Sequence, residues 1–448
     1  MEERLVKRAR VEGPGAEAVP AEQAITFHLL NKSAEGQVVL PENGNFPPDM
    51  THQLFGEQEE IVGYDGLSID VWLTPQFKAF VDVKYAAKGP GATELRQPFA
   101  EAFPAGFYED KATFDSALQE EPHLDLSTLG KEVSSKPAGD GVSVKVFSSQ
   151  LSTAAPDLRA LHARMQPLVF FFVDGASAID ADDPDWYLLT AVATSDEDGP
   201  EVLGFATVYR YYHYPAGCRL RLAQILVLPP HQGCGVGAGL LQAVQGMAEE
   251  MDAVDVAFEE PAEGLQSLRT RLDVGRALAL EWVHDAVAQS IAAQAAAAEG
   301  KANGAGSSRA ARAAAATHPL APAPALLDRL RRELRLSKLQ AAVVWRVALL
   351  VGGKAQEAVR AGVESLILQE LLVQAAEAKG DSQGKSVLET EKGFVMCRGA
   401  NPVESTLPLL PVEEQSAEQQ AEAVEEAATA ALEAAAAVAA KLLAKLEQ

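Results

Sequence analysis

The sequence predicts a mixed α/β (α+β) fold in which an N-terminal mixed module and a helical C-terminal domain flank a central strand–helix domain. Three observations carry that prediction. An apolar strand, Leu220 to Leu228, runs into a glycine-rich turn, then a helical stretch from Gly237 to Glu250, then a strand at Val254 to Phe258, which is the order of an α/β unit. Short apolar alternations at Leu67 to Leu73 and Phe77 to Tyr85, with the turn signal Gly63-Tyr64-Asp65-Gly66 before them, mark strands in the N-terminal part. Leu336, Leu339, Val343, Val347 and Leu350 recur at three- and four-residue spacing, the period of a helix face. A chain of 448 residues exceeds one ordinary core, so two or three domains are expected.

Taken in order, residues 1–22 are polar and read as a disordered tail, and residues 23–141 form the N-terminal module. The central domain covers 142–275: a strand at Val142 to Phe147, a helix after Pro156, apolar Leu168 to Val173, strands at Trp186 to Ala193 and Val202 to Tyr209, and then the glycine unit. Within 276–325 a helix start gives way to Ala286 to Ala325, almost all Ala, Gly, Ser and Pro, which reads as a low-complexity linker unable to bury enough apolar surface to fold alone. Helical periodicity from Leu326 defines a domain over 326–400. The Ala- and Glu-rich tail, 401–448, has helix propensity but little to pack, so a frayed or partner-dependent helix is expected there.

A formal charge of -25 argues against nucleic acid as a direct ligand, because phosphate binding needs clustered Lys and Arg. It suits a basic partner, or serves only solubility. Cys218, Cys234 and Cys397 have no CxxC spacing, and His52, His213 and His231 are not spaced as ligands, so neither a metal site nor a disulfide framework is expected. No apolar run reaches the ~18 residues of a membrane span, and the charged start, Met1 to Gly13, is no signal segment. An intracellular protein is expected, and Lys7-Arg8-Ala9-Arg10 reads either as a nuclear import patch or as a solvated charged tail.

The chemistry concentrates where the strand meets the glycines. Gly233, Gly235 and Gly237 leave backbone N–H groups uncovered at a helix N-terminus, where unpaired donors and the helix dipole favour a pyrophosphate. A dinucleotide fingerprint has similar spacing but sits on the first strand of its unit, whereas this loop lies mid-chain. Two glutamates, Glu259 and Glu260, end the following strand just before Pro261. Alternation puts Asp255, Ala257 and Glu259 on one face and Val254, Val256 and Phe258 on the other, so the two glutamates cannot serve one proton. A carboxylate beside apolar strands has a raised pKa, suited to general-base work. Solvated strand-end charge is the alternative. A third feature is Thr207-Val208-Tyr209-Arg210-Tyr211-Tyr212-His213-Tyr214-Pro215. Tyr209 and Tyr211 share a strand face and can wall a channel around a lysine's aliphatic stem; core packing is the competing use.

These stretches together resemble the type B histone acetyltransferases, whose catalytic subunits belong to the GNAT superfamily. Gln232-x-x-Gly235-x-Gly237 is similar to the acetyl-CoA loop of that superfamily, Glu259-Glu260-Pro261 to a Glu-Asp-Pro motif whose first Glu is the base, and Thr51-His52-Gln53-Leu54-Phe55-Gly56-Glu57-Gln58-Glu59-Glu60 to the family's N-terminal module. The resemblance covers Phe27 to Asp273 well and Leu326 to Val351 loosely. It implies a GNAT acetyltransferase fold, with the pyrophosphate of acetyl-CoA on the amides of Gln232, Gly233, Cys234, Gly235, Val236, Gly237 and Ala238. The pantetheine arm would pair with Ile225, Leu226 and Val227 like an added strand. It implies a histone tail on Glu57, Gln58 and Glu59 and on Tyr209, Arg210 and Tyr211. Asp174 stands where the family usually has a Glu, one methylene longer, and Gly264 stands where the family can offer a hydroxyl. Direct attack of a deprotonated lysine is implied, with Glu259 as base, Glu260 and Asp174 as neighbouring carboxylates, no metal, and no nucleophilic role for Cys234. The implied substrate is newly made histone H4, with H3, and the implied partner a WD-repeat histone-binding subunit, in nucleus and cytoplasm. Another GNAT enzyme, acting on protein N-termini or a small amine, and a catalytically silent histone-binding scaffold are the rival readings.

Overall fold

A computed structural model describes residues 18–41, 43–139, 141–195, 198–215, 217–302, 318–381 and 417–446. Lys7 to Arg10, most of the expected N-terminal tail, Cys397 and part of the Ala-rich segment lie outside the described residues. The chain falls into two compact units, Met1–Tyr212 with Leu220–Met247, and His213–Arg219 with Ala248–Gln448.

Among the described residues, two larger sheets, with three two-stranded ones beside them in the sequence, build the first unit. The N-terminal sheet has the order β5-β4-β3-β1-β2, from β1 (Ile25–Leu29), β2 (Asn45–Phe46), β3 (Ser68–Leu73), β4 (Ala79–Lys84) and β5 (Phe107–Tyr108). β1 pairs parallel to β3, with Phe27 opposite Val71. Alternation fixes the faces: Ile25, Phe27 and Leu29 of β1 and Ile69, Val71 and Leu73 of β3 point inward, as a half-buried strand requires. Residues 19–22, expected as the end of a disordered tail, instead belong to a short strand, Val19–Pro20, and a helical turn, Ala21–Ala24, in which Ala21 and Ala24 are buried. The second sheet runs β6 (Lys131–Gly139), β7 (Val142–Gln150), β8 (Trp186–Thr194), β9 (Glu201–Tyr212) and β10 (Cys218–Val227), each beside the next.

The N-terminal segment and the strand–helix segment, which the sequence separates near residue 141, share one hydrophobic core. Phe171 is its centre, edge-on to Phe27 at 5.0 Å and stacked with Phe99 at 6.3 Å and Phe103 at 6.2 Å. Each buried ring of this kind contributes roughly 1.5–3 kcal/mol by area, and aromatic pairing adds about 0.5–1.5 kcal/mol. The backbone carbonyl of Phe171 also accepts from the N–H groups of Asp49 and Met50, at 3.0 and 3.2 Å. Leu168 to Val173, read as a plain apolar run, is therefore a short helical turn, Val169–Phe172, that pins the two sheets together. Helix α1 (Pro156–Met165) lays Leu158, Leu161 and Met165 on the same core, with Pro156 in its first turn, where a missing N–H costs nothing.

Among its described residues, the second unit is helical apart from β11 (Val256–Phe258) and the first two residues of β10. α2 (Val236–Glu250) leads into it, followed by α3 (Glu263–Leu278), α4 (Glu281–Ala302), α5 (Pro324–Leu334), α6 (Lys338–Gly352), α7 (Glu357–Asp381) and α8 (Ala417–Leu446). Trp345 is fully buried and donates its indole N–H to the Leu320 carbonyl at 2.9 Å. Two expectations fail here for the same reason. The linker expected from Ala286 is helix up to Ala302, anchored by Val283 and Val287, and α8 is no frayed tail, because Ala428, Leu432, Ala435, Val438 and Ala439 are buried in this core. Alanine buries little area per residue, but it lets helices approach closely enough for sparse Leu and Val to pack. The stretch Glu422–Leu446 is also long and apolar enough, by length and composition, to cross a membrane, which corrects the expectation of no such run.

One buried group yields a pH test. His162 of α1 is 2% exposed, its Nε2 has no hydrogen-bond partner, and burial, helped by the nearby Arg159 charge, pushes its pKa down from 6.5 to about 4. The unfolded chain then takes up this proton at higher pH than the folded one. Stability should fall as pH drops from about 6.5 to about 4 and level off below, a loss of up to about 3 kcal/mol from this group. Denaturant titrations across that range should show the slope, and His162→Phe should flatten it; an unchanged slope would assign it to other groups.

Candidate active site

β10 positions the loop. Its burial alternates, with Leu220, Leu222, Gln224 and Leu226 inward and Ile225 and Val227 half-exposed on the other face. It lies unusually close to β9, because a Cβ on Gly204 would meet the Leu226 carbonyl oxygen at 2.4 Å. Only glycine fits such an approach, and the pairing of β8 with β9 shifts register next to it, between Ala191 and Val192. Leu228 N–H then donates to the Leu203 carbonyl at 3.0 Å, fixing where the strand ends.

After one helical turn, Pro229–His231, Gly233 and Gly235 adopt φ of +77° and +86°, a region that L side chains enter at a cost. The first backbone bond into α2 runs from Gly239 N–H to the Gly235 carbonyl at 3.0 Å. The amides of Val236, Gly237 and Ala238 thus fall in the first turn, where a helix offers them no acceptor. Gln232 closes the loop from the other side, its Nε2 donating to the Val227 carbonyl at 3.1 Å. Gln232, Gly233, Cys234 and Gly235 are exposed, and a Cβ at Gly233, Gly235 or Gly239 would meet nothing within 4 Å. The cradle expected from the sequence is therefore open, with a helix start behind it, and suits a diphosphate. Cys234 Sγ lies 3.6 Å from the Gln232 carbonyl oxygen.

The tyrosines of β9 lie beside Arg221, toward the start of β10, while the loop end of β10 lies beside Gly204. Tyr209 and Tyr211 do share a face, with ring centroids 4.6 Å apart, and Trp186, the register partner of Tyr209, packs edge-on to Tyr209 at 4.9 Å. Arg221 lies over the Tyr211 ring at 5.1 Å and donates to its hydroxyl at 2.9 Å. All four side chains are half-buried, so neither plain core packing nor plain solvation describes them. Arg210 alternates to the other face and forks onto the Asp185 carboxylate at 2.8 and 2.6 Å. It clamps the strand instead of joining the tyrosines. Trp186 escaped the sequence reading because register across strands, not spacing along one, brings it there.

Asp174 sits in a turn held by two glutamines. Gln224, 5% exposed, donates to the Ser177 carbonyl at 2.7 Å and accepts from the Thr207 hydroxyl at 3.2 Å, and Gln53 donates to the Ala176 carbonyl at 3.0 Å. The Asp174 carboxylate itself is 87% exposed, with His52 Nε2 3.9 Å away. Of the N-terminal acidic group, Glu57 and Gln58 are exposed. Glu59 is committed to the loop: its carboxylate accepts from the Thr51 N–H and from the Thr51 hydroxyl at 2.8 Å. These bonds hold its pKa below the usual value.

Glu259 and Glu260 belong to the second unit. They follow β11, where Val256, Ala257 and Phe258 are all buried. Both faces are buried: Arg269 donates to the Val256 carbonyl at 2.9 Å and covers the Phe258 ring at 4.1 Å on one face, and Ala257 is buried on the other. Asp255, fully buried, receives Arg219 bidentately at 2.6 and 2.8 Å, while Val254 is exposed. Both glutamates are exposed, and Glu260 has φ +35°, so the chain turns sharply between them and Pro261.

Comparison with known proteins matches residues 18–174 to the family model described as "Histone acetyl transferase HAT1 N-terminus" and residues 159–268 to that of the acetyltransferase (GNAT) family. The chain is similar to histone acetyltransferase type B catalytic subunits. The Arabidopsis thaliana protein is 31% identical over 286 residues, 60% of this chain and 61% of that one. The Zea mays protein is 32% identical over 250 residues, 54% and 53% of the two chains. The Homo sapiens protein is 31% identical over 240 residues, 50% and 56%. The chain therefore spans between half and about three-fifths of the length of these relatives.

The positive φ at Gly235 sets a stability test. Gly235→Ala meets no atom but must hold φ at +86°, a cost of about 1 kcal/mol. Differential scanning calorimetry should show that loss; an unchanged or raised stability would mean the loop relaxes to another conformation.

Proposed function

We propose that the chain is an acetyl-CoA-dependent histone lysine N-acetyltransferase, the catalytic subunit of a type B enzyme, acting on the N-terminal tail of newly synthesised histone H4. The observation that carries this reading is the open glycine turn at the start of α2, in a chain whose residues match the GNAT and histone acetyltransferase family models. Acetyl-CoA supplies the activated acetyl thioester; the amides from Gln232 to Ala238 hold its diphosphate, and the backbone of Ile225, Leu226 and Val227 takes the pantetheine arm.

A lysine ammonium, with pKa near 10.4, cannot attack a thioester until it loses a proton. Glu259 is the proposed base, supported by its place at the end of β11 and by the Glu-Glu-Pro sequence. The neutral amine then attacks the thioester carbonyl to form a tetrahedral intermediate. Its C–S bond breaks and the thiolate leaves, the nitrogen gives its second proton to solvent or to the thiolate, and Glu259 returns the first to solvent. Trp186, Tyr209 and Tyr211 wall the lysine stem, Glu57 draws in the basic tail, and Gln58 offers it hydrogen bonds. A WD-repeat histone-binding subunit is the proposed partner, and nucleus and cytoplasm the proposed compartments.

Mass spectrometry of H4, of N-terminal peptides and of small amines after incubation with acetyl-CoA separates this reading from its rivals. Acetylated H4 tail lysines are expected. Exclusive acetylation of α-amines or small amines would replace histone with another substrate, and no transfer at all would leave a scaffold.

Glu259→Gln should lower kcat by ~10² to 10⁴, the usual worth of a general base, while calorimetry shows acetyl-CoA binding intact. Glu260→Gln should cost much less. Near-full kcat in Glu259→Gln, with a loss in Glu260→Gln or Asp174→Asn, would reassign the base.

A further inference from the structure

We propose that Asp183 is a substrate-positioning residue: through the Tyr209 hydroxyl it orients the aromatic wall of Trp186, Tyr209 and Tyr211 to accept a long aliphatic side chain that ends in a cation. The inference rests on the acetyltransferase reading and adds to it the residue that selects charge at the lysine stem.

The geometry is built from one short turn. Asp183 divides its carboxylate between two tasks: Oδ1 accepts the Asp185 N–H at 2.9 Å, and Oδ2 accepts the Tyr209 hydroxyl at 3.1 Å. Its carbonyl accepts the Trp186 N–H at 3.3 Å, so the residue that holds the phenol also starts the strand carrying the indole. Two positions on, Asp185 takes the Arg210 guanidinium on the opposite face and accepts the Arg210 N–H on its carbonyl at 3.0 Å. The segment Tyr209–Arg210 is thereby clamped on both faces by residues of a single turn.

The chemistry follows from counting donors. A phenol has one proton and two lone pairs. With the proton given to Asp183, the Tyr209 oxygen can only accept, and an ammonium can only donate. The carboxylate behind the phenol strengthens that acceptor, and the ring faces beside it attract a cation. Partial burial, with the bond to Asp183, raises the Tyr209 pKa above its ordinary value, so the hydroxyl keeps its proton at neutral pH and the dyad carries one negative charge. A neutral side chain of the same length gains the apolar contact with Trp186 and Tyr209 but not the charge.

The test uses the full chain and two H4-tail peptides, one with lysine and one with norleucine at the acetylated position. Binding is read by calorimetry and turnover by steady-state kinetics. Unaltered protein should bind the lysine peptide about tenfold more tightly, the range of one charge-assisted hydrogen bond. Asp183→Asn should lose most of that preference and raise the peptide KM by a similar factor. Its kcat should change far less, and its KM for acetyl-CoA should stay the same. Asp183→Ser, which keeps an oxygen to cap the turn, should behave alike and guards against a folding defect in the first variant. Tyr209→Phe should lose the same preference, and the double variant should be no worse than the weaker single one, because the two act as one unit. If Tyr209→Phe raises the peptide KM and either Asp183 variant keeps the lysine preference, the proposal is overturned while the acetyltransferase reading stands. If Tyr209→Phe and Trp186→Ala both leave peptide binding unchanged, the wall is not the substrate site and the proposal falls with it.

Discussion

The site depends on one backbone constraint, the turn from β10 into α2. A strand can hand its direction to a helix within a few residues only if some of them enter the left-handed region, and Gly233 and Gly235 do so at φ of +77° and +86°. That turn puts the bare first-turn amides of α2 at the end of a strand whose own position is set by Gly204, where the Leu226 carbonyl leaves no room for a Cβ. Two different properties of glycine are in use: conformational freedom in the loop and absence of volume in the sheet. Neither substitutes for the other.

Around that turn, buried polar side chains do the positioning. Gln224 links β10 to Thr207 of β9 and to the turn bearing Asp174. Farther off, Glu121 is buried yet accepts from the Thr74 hydroxyl at 2.9 Å and pairs with Lys78 at 3.3 Å. In the second unit Asp255 is buried against Arg219. Removing one partner of such a pair leaves a desolvated group behind, which costs more than the bond itself contributes. The charge of -25 therefore has two uses. Asp185, Glu59, Glu121 and Asp255 hold the fold, while Glu57, Asp174, Glu259 and Glu260 remain at the surface. Net charge alone cannot separate these populations, so it indicates a basic partner only weakly.

Local chemistry was legible where it depends on neighbours along the chain. The strand, glycine turn and helix of the loop could be read because chain order alone creates them, and Tyr209 and Tyr211 could be placed on one face because two-residue periodicity is intrinsic to a strand. The same rule misjudged β11: alternation assumes one wet face, but Asp255 on that face is buried against Arg219. Arg210, placed with the tyrosines by the family resemblance, points away from them, as adjacent strand residues do. The Ala-rich segments were misread for a different reason. Composition measures how much area a residue can bury, not whether another helix comes close enough for alanine to suffice, as it does at Ala428, Ala435 and Ala439.

The sequence by itself determined the mixed α/β class of the chain and the order of strand, glycine turn and helix, because each follows from residue type and near-neighbour spacing. Only the tertiary structure decided which of them meet. Cross-strand register brought Trp186 to Tyr209, a turn from the preceding loop brought Asp183 to its hydroxyl, and the packing of two sheets on Phe171 joined segments more than a hundred residues apart in one core. Such contacts are fixed by which surfaces exclude water together, and that is a property of the folded chain with no local signature in its sequence.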